Sequence, residues 1–314
     1  MTDQSPPPIP SAQHQTSLSP HEILHSANSG MIVERVGQLR NEFRSEGRTF
    51  AREIAEYINT KQVGVASAFV YEETFGVKDR IHWFIHMSSM DQYETLVHMG
   101  DSDESYRNTF SRNYIPEEKG GGTWARLFLD GSLRETVLLP QFWGMYGTRT
   151  EHGAEEHSEV FRSQGNSTLP GAQAQTDIPA DQIMHSANAG IVIHRTAEIV
   201  YDFRSEARQF AREAADAINR NLPGEATAFL YEEAFGTQDR IHWLIHLKSL
   251  ATYQRLLELH VRDASVRDIF FRQRIEPERG GGSWARMFVQ GSMTDTALTP
   301  QHWGMYATAP EAGR

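Results

Sequence analysis

The sequence contains no cysteine among its 314 residues. That absence excludes disulfide bonds, a catalytic thiolate and any zinc or iron–sulfur site built on cysteine. It also lacks a run of about eighteen apolar residues, the length that a membrane-spanning helix needs. The N-terminal stretch has neither the basic nor the apolar segment of a signal peptide. We therefore expect a cytoplasmic protein.

Positive charge is scarce, because 30 lysines and arginines stand against 41 acidic residues and give a formal net charge of -11. Binding to nucleic acid or to an anionic membrane needs a basic surface, so we expect neither partner. The sequence also lacks a P-loop, a dinucleotide fingerprint and a recognisable nucleophile triad. The hydrophobic fraction, 39%, is typical of a folded globular protein.

What the sequence does contain is a long internal repeat with a constant offset of 160 residues. The tetrapeptide HSAN occurs at 25–28 and again at 185–188, and WGMY occurs at 143–146 and at 303–306. The offset does not change between residues 21 and 148, so the copies align without a gap. A unit of this length is too long for a solenoid repeat and predicts two whole domains.

Composition divides the chain into four segments. Residues 1–18 are rich in proline, serine and glutamine and predict a disordered tail. The first repeat follows at 19–148, and residues 149–178 are polar with scattered glycine, which is typical of a linker. The second repeat occupies 179–308.

Within each repeat the hydrophobic periodicity predicts strand, helix, strand, strand, helix, strand. In the first copy we expect a short helix from Ser19, and then the main elements at 31–36, 43–58, 66–73, 80–87, 88–98 and 123–129, with a last strand at 133–139. This order is the split βαβ pattern of an α+β, ferredoxin-like fold. Such a sheet carries helices on one face, and the second copy supplies a partner that buries the other.

The order of elements in both repeats resembles the dimeric α/β-barrel superfamily, in which two ferredoxin-like units pack their sheets into one barrel. The resemblance implies that two tandem ferredoxin-like (βαββαβ) domains close a pseudo-dimeric α/β barrel within one polypeptide, with a homodimer of the whole chain left open. The superfamily includes cofactor-independent monooxygenases and cyclases of aromatic polyketides, and haem-dependent enzymes. The tandem form resembles the duplicated hydroxylases of aromatic polyketide pathways.

The segment RIHWFIH at 80–86 supplies the first candidate site residues. Alternate side chains of a strand point to opposite faces, so the isoleucines and the tryptophan share one face while His82 and His86 share the other. We predict that these histidines, and His242 and His246 in the second copy, face the barrel. Four strand residues span about 13 Å, too far for His82 and His86 to bind one metal ion. We therefore predict no metal site, while haem or a single metal ion stays an alternative.

Further candidates come from the same alternation. If 123–129 is a strand, Arg126 and its counterpart Arg286 face the barrel, where an arginine needs an anionic partner. That partner is either a ligand or a nearby glutamate. Aromatic and hydrogen-bonding groups expected to contact a substrate are Tyr71, Trp124, Tyr231, Trp284, Trp143, Trp303 and His302.

The copies differ chemically at a few positions. His194 stands where the first copy has Glu34, and His302 stands where it has Phe142. Duplicated domains can keep a single working site, so we expect the working site to lie near these positions.

Taken with the resemblance, these residues predict a tailoring monooxygenase that uses dioxygen on an aromatic polyketide or related phenolic metabolite, without flavin or metal. Histidines would act as bases and arginines as the cation that stabilises an oxyanion. The predicted catalytic residues are His82, His86, Arg126, His242, His246 and Arg286. The alternatives are a polyketide cyclase in the same pocket, and a non-catalytic barrel that binds an aromatic metabolite or haem.

Overall fold

The computed structural model describes residues 9–142 and 169–302, and each of these halves contributes four strands. The strands are β1 Met31–Gln38, β2 Ala66–Phe75, β3 Arg80–Met87, β4 Arg134–Pro140, β5 Ile191–Glu198, β6 Ala226–Phe235, β7 Arg240–Leu247 and β8 Thr294–Pro300. They form one closed barrel in the order β1-β3-β2-β8-β5-β7-β6-β4. Every neighbouring pair is antiparallel.

Each half alone has the strand order of a ferredoxin-like unit, β4-β1-β3-β2 and β8-β5-β7-β6. The α+β class and the barrel predicted from the sequence are confirmed. The two halves meet at two seams, where β2 pairs with β8 and β4 pairs with β6. The seams close the barrel and leave it without the unpaired strand edges that invite aggregation.

Six α-helices of the described residues cover the outside of the barrel: α1 Arg44–Lys61, α2 Asp91–Ser102, α3 Glu104–Ser111, α4 Arg204–Asn221, α5 Leu250–Arg262 and α6 Ala264–Phe271. In α1, Phe50, Ile54 and Ile58 recur at helical spacing and are buried against the sheet. The carboxylate of Asp103 begins α3 by accepting hydrogen bonds from two backbone N–H groups. None of the described helices has the length and apolarity needed to cross a membrane.

Strand alternation sorts the side chains of β3 as predicted. Trp83 points outward to the helix layer, where its indole Nε1 donates to the carbonyl oxygen of Ala51 at 3.1 Å. Phe84 belongs to a separate apolar cluster in the barrel interior, with members from both halves. His82 and His86 share the inward face with Phe84, and both are buried.

The predicted strand at 123–129 is wrong. Trp124–Arg126 forms a single turn of 3-10 helix, and Phe128 makes only an isolated bridge with Leu39. The Trp124 ring lies parallel to that of Phe50 on α1, with 5.8 Å between the ring centres. The segment therefore covers the helix layer, and β4 takes the fourth place in the sheet. The second half repeats this arrangement at Trp284–Arg286.

The segments that precede β1 and β5 are also more ordered than predicted. The expected helix at Ser19 is a series of turns. Ala12 and Gln15, in the tail predicted to be disordered, are buried, and the Gln15 side chain hydrogen-bonds both backbone polar groups of Val70. Gln175, in the predicted linker, does the same for Leu230. Low hydrophobicity did not indicate disorder here, because polar side chains satisfy strand backbone at the seams.

Candidate functional site

One end of the barrel is closed by two loops, residues 21–30 and 181–190, which we call the plug loops. Their tips hydrogen-bond each other around a pseudo-twofold axis. The backbone N–H of Ser26 donates to Ser186 Oγ at 3.0 Å, and that of Ser186 donates to Ser26 Oγ at 2.9 Å. The rings of His25 and His185 stack with centres 3.6 Å apart. The HSAN repeat thus adds a third contact between the halves, beside the two strand seams.

His86 and His246 belong to this junction. Nε2 of His86 lies 2.9 Å from Ser186 Oγ, and Nε2 of His246 lies 2.9 Å from Ser26 Oγ. We call the six side chains the inner cluster: His25, Ser26, His86, His185, Ser186 and His246. Tyr71 and Tyr231, which were predicted to contact a substrate, instead hold the plug loops. Their hydroxyls donate to the carbonyl oxygens of Ser186 and Ser26 at 2.5 and 2.6 Å, respectively.

Burial keeps the inner cluster uncharged. It lowers the pKa of His86 and of His246 to about 3. It lowers the pKa of His25 to about 2, with help from His185, whose own pKa falls to about 4. These imidazoles are neutral at physiological pH, and both His86 and His246 have no exposed surface. His86 and His246 thus face the barrel as predicted, but they tie the plug loops to the strands.

A second set of buried ionisable groups lies further from the plug loops. We call it the outer network, and it consists of Glu73, His82, Glu34, His194, His242 and Glu233, joined in that order. In the first half, His82 lies between two carboxylates: its Nε2 is 3.0 Å from Glu73 Oε1 and its Nδ1 is 2.8 Å from Glu34 Oε1. Glu34 Oε1 is also 3.1 Å from Nδ1 of His194, which joins the two halves. In the second half, His194 Nε2 is 2.9 Å from His242 Nδ1, and His242 Nε2 is 3.3 Å from Glu233 Oε2. Their side chains keep between 3% and 7% of their surface exposed, unlike His86 and His246. The outer network is therefore a continuous chain of six buried ionisable groups in the barrel interior.

The network crosses the barrel at the position where the two copies differ. Glu34 lies on β1 and His194 on β5, which stand four places apart in the eight-stranded barrel and so face each other across it. This contact makes the surroundings of His82 and His242 different. His82 lies between two carboxylates, whereas His242 lies between one carboxylate and one imidazole.

The two histidines consequently shift in opposite directions. Burial alone would lower the pKa of His82, but hydrogen bonds to Glu34 and Glu73 outweigh it and raise that pKa. Burial lowers the pKa of His242, His194 lowers it further, and the hydrogen bond to Glu233 only partly opposes this. Burial would raise the pKa of Glu34, yet His194 and His82 hold it well below its ordinary value. Equivalent histidines of the two halves therefore have pKa values shifted apart within a single network.

One group of three within the outer network could hold a metal ion. Ligand atoms of Glu34, His194 and His242 all lie within 4.8 Å of one another. His86, the other half of the pair weighed from the sequence, hydrogen-bonds in the inner cluster instead. Strand spacing thus separates His82 from His86 as expected, while a different set converges across the barrel.

Several predicted site residues lie elsewhere. The guanidinium groups of Arg126 and Arg286 are on the outside of the barrel. Arg126 donates to the glycine carbonyls at 120–121, and Arg286 donates to those at 280–281. Trp124 and Trp284 pack in the helix layer. Assigning these four to the barrel interior was wrong, because the segments that carry them are not strands. His302 is half-buried beyond β8, and Trp143 and Trp303 lie outside the described residues.

The site residues predicted from the sequence did not include four residues that the structure brings into the outer network: Glu34, Glu73, His194 and Glu233. A signal for two of them existed, because the exchange of Glu34 for His194 was visible in the repeat. Their partners were not visible, since they come from different strands of both halves.

Comparison with known proteins adds a family and a set of distant structural likenesses. No curated protein matches the sequence. Two solved structures described as "putative monooxygenase" are similar: one from Lactobacillus acidophilus NCFM (8% identity, TM-score 0.47, 86% of this chain and 93% of that chain) and one from Fusobacterium nucleatum (7%, 0.49, 87% and 93%). A mutant chlorite dismutase from Candidatus Nitrospira defluvii is similar at 12% identity and a TM-score of 0.42, over 87% of this chain and 92% of that chain.

A family model described as a family of unknown function (DUF6039) matches residues 1–306, and the chain therefore belongs to that family.

Proposed function

We propose that this protein is a monooxygenase that adds an oxygen atom from dioxygen to a small phenolic molecule at the outer network. One observation carries the proposal: equivalent histidines of the two halves have opposite pKa shifts within one hydrogen-bonded network. Groups whose surroundings push their pKa values apart can act as acid and base at the same pH. His82 would be the cation, and the His194–His242 pair would be the base.

The base would accept its proton between the facing nitrogens, His194 Nε2 and His242 Nδ1, which lie 2.9 Å apart. Glu233 accepts a hydrogen bond from Nε2 of His242, and Glu34 Oε1 lies 3.1 Å from Nδ1 of His194, so two carboxylates would stabilise a proton shared by the rings. The imidazolium of His82 would stabilise the resulting substrate anion. This role replaces that predicted for Arg126 and Arg286.

The chemistry suits a phenol that carries an acidic methylene group. Loss of a proton gives an anion delocalised over the ring, and this anion can donate one electron to dioxygen. Recombination forms a carbon–oxygen bond, and protonation gives a hydroperoxide. Loss of water leaves a carbonyl, so a methylene group and dioxygen yield a carbonyl and water. No flavin or external reductant is needed for this balance.

Oxygen uptake tests the proposal. Purified full-length protein is mixed with anthrone-type phenols in an oxygen electrode, and products are identified by mass spectrometry. We expect one dioxygen consumed per carbonyl formed. His82→Gln and His242→Gln should each lower kcat by about 10²–10⁴-fold, the range typical of general acid–base groups. His98→Gln, on the exposed surface of α2, is the matched control and should not change kcat.

Two outcomes would contradict the proposal. Ring closure of a polyketone without oxygen uptake would assign the same acid–base pair to a cyclase. Tight binding of phenols without any turnover would indicate a binding protein.

A further inference from the structure

The two imidazoles in the middle of the outer network face each other in an unusual way. Nδ1 of His194 lies 3.1 Å from Glu34 Oε1, and Nε2 of His242 lies 3.3 Å from Glu233 Oε2. An ionised carboxylate only accepts hydrogen bonds, so Nε2 of His242 carries the hydrogen and its Nδ1 offers a lone pair. Nε2 of His194 faces that lone pair across 2.9 Å.

A positive centre can lie between these two nitrogens. A proton is one such centre, and a metal ion is the other. Imidazole nitrogens bind zinc at about 2.0–2.1 Å, so two of them at the tetrahedral angle on one ion lie about 3.3 Å apart. The observed 2.9 Å is about 0.4 Å shorter, so the two rings separate slightly when they bind an ion.

Glu34 supplies a third ligand. Its carboxylate lies with the two imidazoles in a group whose ligand atoms are all within 4.8 Å of one another. Two imidazoles and one carboxylate are a common ligand set for divalent transition metals, and they leave further positions open. All three side chains are buried, as expected of ligands that are held in place.

Neighbouring groups orient these ligands. Glu233 accepts from Nε2 of His242, which directs Nδ1 of that ring inward. His82 holds Oε1 of Glu34 at 2.8 Å. Carboxylates that accept from the second nitrogen of a histidine ligand fix its tautomer and typically contribute 10- to 100-fold in metal affinity.

We propose that Glu34, His194 and His242 bind one divalent transition-metal ion. The ion takes the lone pairs that would otherwise accept the substrate proton, so bound zinc inhibits the oxygenation. This consequence for activity rests on the proposed function, whereas metal binding itself does not. The site needs both halves of the chain, because Glu34 lies in the first half and the second half has His194 at the equivalent position.

Metal binding is tested on the full-length protein after treatment with EDTA. Cobalt chloride is added and its visible absorption recorded, and zinc chloride is titrated by calorimetry. We expect one ion per chain. His194→Ala and His242→Ala should weaken binding by more than about 100-fold, and Glu233→Gln by about 10- to 100-fold. His98→Ala is the matched control and should bind as the wild type does.

Glu34→Gln preserves the side-chain shape and keeps the test valid if an alanine variant fails to fold. Its cobalt spectrum should lose intensity, with circular dichroism unchanged. Binding that is unchanged in His194→Ala, His242→Ala and Glu34→Gln would overturn the site, as would the absence of binding at millimolar metal. Zinc binding without oxygen uptake from any phenol would overturn the proposed function alone. Oxygen uptake by stripped protein that binds no metal would overturn the metal site alone.

Discussion

The inner cluster predicts that this protein loses stability steeply in mild acid. Its four histidines, His25, His86, His185 and His246, have pKa values between about 2 and 4, chiefly because they are buried. In the unfolded chain each would have a pKa of about 6.5. Below that pH these histidines bind protons in the unfolded chain but stay neutral in the native protein. Stability is therefore fully present above about pH 6.5 and falls as the pH decreases.

The size of the effect follows from the number of protons. Each proton bound only by the unfolded state lowers the free energy of unfolding by about 1.4 kcal/mol per pH unit. Four histidines give a slope of up to about 5 kcal/mol per pH unit near pH 5. Burial also lowers the pKa of His242, which adds to this slope, whereas burial raises the pKa of Glu232 and of Asp216, and these two groups offset part of it. Because total stability is typically about 5–15 kcal/mol, unfolding is expected between about pH 4 and pH 5.5.

The alkaline side should be much shallower. The pKa of His82 is raised in the native state, so its stabilising contribution is present below about pH 6.5 and is lost as the pH rises through the native value. Only one proton is involved. The free energy of unfolding should therefore be greatest just above about pH 7.

Urea unfolding, followed by tryptophan fluorescence from pH 4.5 to 9, measures this profile. The slope against pH gives the number of protons taken up on unfolding. His246→Gln should reduce the acid slope by about one proton, whereas His98→Gln should leave it unchanged. Uptake of less than one proton between pH 6 and pH 5, or greatest stability near pH 5, would refute the reasoning.

Three further predictions concern single side chains. Ser26→Ala should lower the free energy of unfolding by about 1–3 kcal/mol, because it leaves the buried Nε2 of His246 and the backbone N–H of Ser186 without their partner. Ser29→Ala is the control in the same urea assay and should lower it less, because the buried Ser29 hydroxyl has no partner among the described residues. Glu72→Gln should lower it by about 3–5 kcal/mol, since it breaks the buried two-point ion pair with Arg48; a loss near zero would contradict this. Arg126→Gln should leave oxygen uptake unchanged, because Arg126 lies outside the barrel, and a large fall in kcat would restore its predicted role.

Much of the fold could be predicted because its signals are local. The alternation in β3 depends only on neighbouring residues, and it placed Trp83 in the helix layer and His82 in the barrel. The spacing of Phe50 and Ile54 in α1 is equally local. The constant offset between the copies then indicated two equivalent sheets.

The segment 123–129 shows where local pattern fails. Its alternation of large and small side chains suits a strand, but Trp124 gains a stacked contact with Phe50 and the Arg126 side chain binds the carbonyls of the glycine turn. These contacts involve residues far away in sequence or a turn whose shape the pattern does not encode. Four site residues were misplaced as a consequence.

The outer network could be predicted only in part. Alternation located its histidines, but the contact between Glu34 and His194 joins strands that are not neighbours in the barrel. No periodicity within a strand predicts what lies across a barrel. The difference between the copies marked the position, and the closed topology was needed to interpret it.

A single chain that contains both halves gives this barrel a freedom that two identical subunits lack. In a homodimer of either half, the symmetry axis would bring together two copies of the same residue, either two glutamates at position 34 or two histidines at position 194. Two carboxylates would repel each other there, and with two imidazoles neither copy of His242 would lie between two carboxylates. Covalent linkage fixes the ratio at one acid to one imidazole, so a mixed pair forms in every molecule without any need to sort subunits.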